Sequence, residues 1–283
     1  MDGKFFPVGL SFDVDGETLW TSRDPECCKH PCQLSMGAYG LNEGVPRILK
    51  MLDKYGIKAT FFIVGETAEK YPDKIKEIAA HGHELGNHSW THTHPKRFET
   101  REAEKDELVR TAELIYKLTG QTPTGYRSPA AEFSLNTVSI LDEMGFTYES
   151  SMMHWDRMVP LSAFGVDSNV LHIPFHWRWD DAPFWMYGLD APGKAMQPLS
   201  AVQECWFSEF DGVYEEFMED ETGERKNAAF MLCCHPQISG QIGKLKVVEN
   251  LIKHIKERPN VKFMTGQEMV DYYRSMNDYP FKK

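Results

Sequence analysis

Short, continuously apolar runs separated by amphipathic stretches constrain this 283-residue chain more than any other feature. Residues 6–12 (FPVGLSF), 59–64 (ATFFIV) and 228–234 (AAFMLCC) lack the polar alternation of a half-solvated strand and are too short for buried helices. Runs of this kind form strands covered on both faces, as in a parallel sheet flanked by helices. Helical periodicity fills the intervals. In residues 43–55, Val45, Ile48, Leu49 and Leu52 share a stripe that Gly56 ends, and Pro72 opens a second helix carrying Ile75 and Ile78. Further helices are predicted over 101–119, from a Ser134 cap to Gly145, and over 199–218, 245–255 and 267–276. Weaker strand signals lie at 84–86, 124–127, 146–148, 170–174 and 261–264. Between residues 150 and 197 regularity fails, and the segment is heavy in Trp, Met, His and Pro. With no internal repeat and no linker, the chain reads as one α/β domain, 1–283, carrying an irregular aromatic-rich insertion.

Charge narrows the partners. Acidic residues outnumber basic ones 42 to 31, for a net charge of −11, which disfavours nucleic acid and anionic membrane as partners. No apolar run is long enough to cross a bilayer, and Asp13 and Asp15 fall where a signal peptide needs hydrophobes, so a cytoplasmic location is expected. Six cysteines do not change this. Cys27, Cys28 and Cys32 cluster with His30 but lack a second Cys-x-x-Cys pair for zinc, so reduced thiols are expected.

The chemistry-bearing residues gather at predicted strand ends. Asp13 and Asp15, two apart in extended chain, point the same way. His88 and His92, four apart in His88-Ser89-Trp90-Thr91-His92, converge in a helical or tight-turn conformation. One carboxylate and two imidazoles suit a borderline divalent ion with open positions: Asp15, His88 and His92 are the expected ligands, and zinc, cobalt, nickel or iron fits. Asp13 then stands free as a general base, Arg127 is placed to orient it, and His235, where an apolar strand meets Pro236, is the candidate acid. Asp13, His88, Arg127 and His235 each follow a predicted strand, and the carboxyl ends of parallel barrel strands share one face. The implied reaction is attack of activated water on a carbonyl with departure of nitrogen. Pro129 is expected to contact a small-molecule or oligosaccharide substrate, as are Trp177 and Trp179 in an aromatic stretch, 177–187, that serves equally well as an interface.

Ser11-Phe12-Asp13-Val14-Asp15-Gly16, His88-Ser89-Trp90-Thr91-His92, Tyr126-Arg127-Ser128-Pro129 and Cys234-His235-Pro236 resemble successive motifs of the polysaccharide deacetylase family, in order and across nearly the whole chain. The resemblance implies a deformed (β/α) barrel of about seven parallel strands and metal-dependent de-N-acetylation of amino sugars. By position it implies Asp13 as base, Asp15, His88 and His92 as metal ligands, Arg127 orienting the base and His235 as acid. The lead-in loop, Asp180-Asp181-Ala182-Pro183 and the His235-Pro236-Gln237 ending look most like the peptidoglycan-deacetylase-like branch, near enzymes that open cyclic imides and ureides such as allantoinases. Together with the aromatic stretch, the family suggests a homo-oligomer. The family's aspartate–tryptophan support for the acid has two candidates here, Asp156 with Trp155 or Asp180 with Trp179. Ring opening of a cyclic imide and non-catalytic sugar binding on the same scaffold are the alternative readings.

Overall fold

In the computed structural model, which describes residues 5–187 and 196–276, the apolar runs are strands of a single sheet. They are β1 (Phe6–Val14), β2 (Thr60–Ile63), β3 (Glu84–Asn87), β4 (Gly125–Tyr126), β5 (Tyr148–Glu149), β6 (Val159–Pro160), β7 (Leu171–His172), β8 (Phe230–Cys234) and β9 (Val261–Phe263). β1 is the spine. One edge carries β8, paired from Val8 to Phe12; the other carries β9 beside Phe6–Val8 and β2 beside Ser11–Val14. The sheet continues in parallel through β3, β4, β5 and β7, and β6 alone runs antiparallel, against β7.

Among the described residues no strand ladder joins β7 to β8. Two isolated bridges, Asp180 with Cys233 and Arg157 with Ala228, cross that seam. The curled sheet is therefore a deformed barrel, and the irregular chain after residue 150 forms its seam. Residues 188–195 of that segment lie outside the described residues. β6 sits inside the stretch whose sequence shows no regular pattern; two residues paired on one side are too few to leave a periodic signal.

Every residue of β1 is buried, because both faces of the sheet are covered. Phe6, Val8, Leu10, Phe12 and Val14 face the helices, packing with Ile48, Leu52, Trp206, Phe210 and Leu251. The alternate residues face the barrel interior, which Phe62, Tyr148, Leu171, Met231, Met264 and Met269 fill. Burying each such side chain stabilises the fold by roughly 1.5–3 kcal/mol.

Helix ends follow local chemistry. The helix Arg101–Thr119 starts where Thr100 Oγ1 accepts a bond from Ala103 N at 3.1 Å, and stops at Gly120 in the left-handed region. The helix Val45–Tyr55 begins two residues later than its periodicity predicts, after a π-helical turn, Gly40–Gly44; Pro46, with no N–H to donate, lies at that junction. Ser134 does not cap the next helix, which starts at Thr137. Its hydroxyl instead accepts from Asn136 N at 2.9 Å within a tight turn. The carboxyl ends of β1, β3, β4 and β8 deliver Asp13 and Asp15, His88, Arg127 and His235 to one end of the barrel.

Candidate active site

The His88–His92 segment is a turn rather than a helix, with Ser89 at φ 66° and His92 at φ 60°. Left-handed conformations cost roughly 1–2 kcal/mol each in non-glycine residues, so the turn needs external support. Glu107, reaching in from the helix Arg101–Thr119, supplies it. One carboxylate oxygen accepts from Trp90 N (3.0 Å), Thr91 N (2.7 Å), Ser89 Oγ (2.9 Å) and Thr91 Oγ1 (2.9 Å). On the opposite side, Gly65 N and Glu66 N donate to the carbonyls of Ser89 and Trp90. Position 65 tolerates nothing larger than glycine, because a Cβ there would lie 2.3 Å from the Trp90 ring.

Held this way, both imidazoles turn Nε2 toward Asp15. His88 Nε2 is 3.4 Å and His92 Nε2 3.8 Å from Asp15 Oδ1. The other ring nitrogens are engaged elsewhere. His88 Nδ1 donates to the Arg127 carbonyl at 2.7 Å, and His92 Nδ1 meets Ser22 Oγ at 3.3 Å. Asp15 Oδ1 is buried and has no hydrogen-bond partner, while Oδ2 accepts from Gln237 Nε2 at 3.3 Å. An orphaned buried carboxylate oxygen is costly unless a cation occupies the gap. Bonds of about 2.0–2.2 Å in tetrahedral array separate ligand atoms by roughly 3.4 Å, close to the separations seen here. These residues fit a divalent metal ion.

Burial and mutual proximity set the charges of these three side chains. Burial alone would raise the Asp15 carboxyl, but His92, His235 and His88 around it hold it well below the usual range. Burial pushes His92 down to about 4, against the attraction of Asp15, leaving a neutral ring with a lone pair to offer. His88 moves the other way: burial opposes its protonation, but Asp13 and Asp15 outweigh it.

Asp13 sits beside this group, with Oδ2 3.7 Å from His88 Nε2. Its Oδ1 accepts from Arg127 Nη1 at 3.0 Å. Arg127 is itself fully buried and satisfied. It donates to Ser11 Oγ (2.8 Å), Ser150 O (2.7 Å) and Ser150 Oγ (2.9 Å), and its guanidinium lies against the rings of Phe62 and Phe175. A buried cation anchored at this many points fixes the carboxylate it faces.

His235 stands across from Asp13, with Nε2 3.6 Å from Asp15 Oδ2. Its Nδ1 bonds Asp181 Oδ1 at 2.6 Å, and its backbone N–H donates to Asp181 Oδ2 at 2.9 Å. Burial would lower this imidazole, but Asp181, Asp180 and Asp15 raise it well above the usual histidine range. Neither sequence candidate for this support makes the contact. Asp156 pairs with His176 at 2.7 Å, and Asp180 stays 3.8 Å from His235 Nδ1 while accepting from Ala182 N. Asp181, one residue on, points at the ring.

Asp13, His88, His92, Arg127 and His235 line a cleft of about 70 Å³, walled on one side by Ser128, Ala130 and Ala131 and on another by Phe175 and Trp177. Of the expected substrate contacts, Trp177 is on this wall and 44% exposed. Trp179 is not. It is 1% exposed, packs against Phe230 in the core with the rings tilted by 45°, and donates from its indole N–H to Glu209. Pro129 is buried and starts the 3-10 turn behind Ala130 rather than lining the cleft. None of the six cysteines forms a disulfide, and the metal-competent clusters among the described residues include none of Cys27, Cys28 and Cys32. Glu107, Asp181, Ser22 and Gln237 have no assigned role in the sequence; Asp181 and Gln237 had a local signal, in the Asp180-Asp181 pair and the His235-Pro236-Gln237 ending.

A family model described as polysaccharide deacetylase matches residues 36–149. A peptidoglycan deacetylase of Helicobacter pylori is 32% identical over 98% of both chains. A crystal structure from Mycobacterium smegmatis, assigned by inference to the polysaccharide deacetylases, superposes with a TM-score of 0.87 at 28% identity, over 97% of this chain and 92% of that one. An allantoinase structure shares the fold over 99% of this chain and 94% of its own, with a TM-score of 0.81 at 19% identity.

Proposed function

The chain belongs to the polysaccharide deacetylase family, and on that premise we propose that it removes the N-acetyl group of an amino-sugar substrate, using water and one divalent ion. One observation carries the reading. Asp15, His88 and His92 converge on a common point, with Asp13 anchored on one side and His235 on the other. The likeness to the Helicobacter pylori peptidoglycan deacetylase supports the choice of an acetylated amino sugar.

Asp15, His88 and His92 would hold the ion, which when bound supplies Lewis acidity toward the amide carbonyl and acidifies water. Two imidazoles and a carboxylate make zinc our choice of native metal. Asp13 Oδ2 takes the proton of the attacking water. Its other oxygen is tied to Arg127, so the carboxylate cannot swing away. Asp181 holds Nδ1 of His235, which leaves Nε2 facing the cleft to protonate the departing nitrogen. Water's oxygen bonds the carbonyl carbon, the C–N bond breaks, and acetate and a free amine leave. Trp177 and Phe175 screen the acetamido group from solvent.

The test is acetate release from N-acetylglucosamine oligomers and a peptidoglycan fragment by metal-reconstituted protein, with succinimide, hydantoin and allantoin beside them. Acetate is expected, and Asp13→Asn should retain metal yet lose about 10²–10⁴-fold in kcat. Ring opening without acetate release would replace the deacetylase reading with a cyclic-amide hydrolase.

A further inference from the structure

On the outer surface of the barrel, the helices Val45–Tyr55 and Ile242–Lys256 run side by side in the same direction. Arg47 Nη1 donates to Gly240 O at 3.4 Å beside their first turns, and Lys54 Nζ pairs with Glu249 at 2.6 Å further along both. A groove of about 340 Å³ lies between them. Each helix lines it with residues at the same spacing, i, i+3, i+4 and i+7. Arg47, Lys50, Met51 and Lys54 come from one, and Ile242, Leu245, Lys246 and Glu249 from the other. Seven residues of helix span roughly 10 Å, so the groove is about two turns long.

The floor is apolar. Met51 is 6% exposed and Leu245 half-buried, and Ile242, 72% exposed, stands open at one end. Leu199, 40% exposed, adjoins that end, where a Cβ on Gly243 would lie 3.3 Å from its Cδ1. One exposed apolar side chain is ordinary, but neighbours that continue a partly buried floor make a patch. The rims are cationic. Arg47 pairs with Glu43, while Lys54, Lys246 and Lys253 all draw on the single carboxylate of Glu249. Lys50 is exposed and has no ion pair among the described residues. Five cations therefore share two carboxylates, on a chain whose net charge is −11. Such a local reversal of sign steers an anionic partner to this face.

We propose that the groove docks an acidic amphipathic helix of a partner protein, its apolar face on Met51, Leu245 and Ile242 and its carboxylates against the lysines. The spacing of the two walls matches the i, i+3, i+4 and i+7 anchors that such a helix presents. An apolar centre inside a charged rim is also the anatomy of a protein interface. A flat bilayer does not reach the floor of a groove, and the overall charge repels an extended anionic surface. A free anion would use the lysines and leave Ile242 uncovered. One end of the groove lies beside Gly240, just past the short helix Pro236–Ser239 that follows His235, so the docked partner stands at the rim of the catalytic end. None of the groove residues takes part in the deacetylase chemistry.

The test is fluorescence anisotropy with a labelled, lactam-stapled helix of about four turns, carrying leucines at i, i+3, i+4 and i+7 between glutamates. It is expected to bind saturably. A helix of the same composition with its leucines spread around the surface, and one with lysines for the glutamates, should each bind at least about tenfold more weakly. Lys50→Glu and Ile242→Ser, both at exposed positions, should each weaken binding about five- to tenfold and leave acetate release by the metal-loaded protein unchanged. No saturable binding, equal binding of the spread-leucine helix, or wild-type affinity in both variants overturns the proposal. Sedimentation velocity of the protein alone is expected to be the same for wild type and Ile242→Ser. Self-association that Ile242→Ser abolishes would assign the groove to a second copy and overturn the partner helix.

Discussion

Replacing Glu107 with Gln should loosen metal binding without touching a ligand. The side chain's only described role is to hold the His88–His92 turn, through four bonds to one oxygen. Two of the donors are backbone N–H groups, and the turn they brace contains two left-handed residues worth roughly 2–4 kcal/mol of conformational cost. Gln keeps an acceptor oxygen but loses the charge, and hydrogen bonds to a charged group exceed neutral ones by about 1 kcal/mol. With several such bonds shared and partly compensated, the turn loses about 2 kcal/mol of support. Loss of an outer hydrogen-bond partner typically costs a metal site about 10- to 100-fold in affinity, which is the range expected here. Competition between the protein and a fluorescent zinc chelator measures it directly, and Glu107→Ala should fall further. If Glu107→Gln binds zinc as tightly as wild type, the turn does not depend on this clamp and the reasoning fails.

Other outcomes test separate parts of the account. Asp181→Asn leaves the metal ligands in place but removes the anion that orients His235. Acetate-release kcat is therefore expected to drop about 10²–10⁴-fold with zinc affinity little changed; unchanged kcat would remove Asp181 from the proton path. His83, at the other end of β3, is held by burial, and then by Lys58, at a pKa lowered from 6.5 to about 4. Neutral when folded and protonated when unfolded between those values, it contributes stability that is full above about pH 6.5 and lost as pH falls toward 4. From about pH 7.5 to pH 5 this amounts to at most about 2 kcal/mol. Urea unfolding at the two pH values should show a smaller difference for His83→Asn, which keeps an acceptor for Ala59 N; an equal difference would place the titration elsewhere.

What the sequence discloses and what it hides follow one physical rule. Strands buried on both faces and amphipathic helices leave periodic signals, so β1, β2 and β8 and the long helices stand out in the residues themselves. Strand-end placement follows from that alternation, which is why Asp13, Asp15, His88, Arg127 and His235 could be read as one site. Contacts between distant elements leave no periodic trace. Glu107 sits on a helix like any charged residue, and nothing local shows that it turns inward. Asp180 and Asp181 are chemically identical neighbours, and only the bridge of Asp180 to Cys233 decides which one faces His235. Trp177 and Trp179 likewise differ only in orientation. A three-residue 3-10 turn sends one to the cleft and the other into the core beside Phe230.

The central claim is that one cation is gripped by Asp15, His88 and His92. Its most direct test is calorimetric titration of chelator-stripped protein with zinc, beside Asp15→Ala, His88→Ala and His92→Ala. One equivalent should bind tightly to wild type, and each replacement should abolish that tight phase while the protein remains folded. Undiminished one-to-one binding in all three variants would contradict the claim.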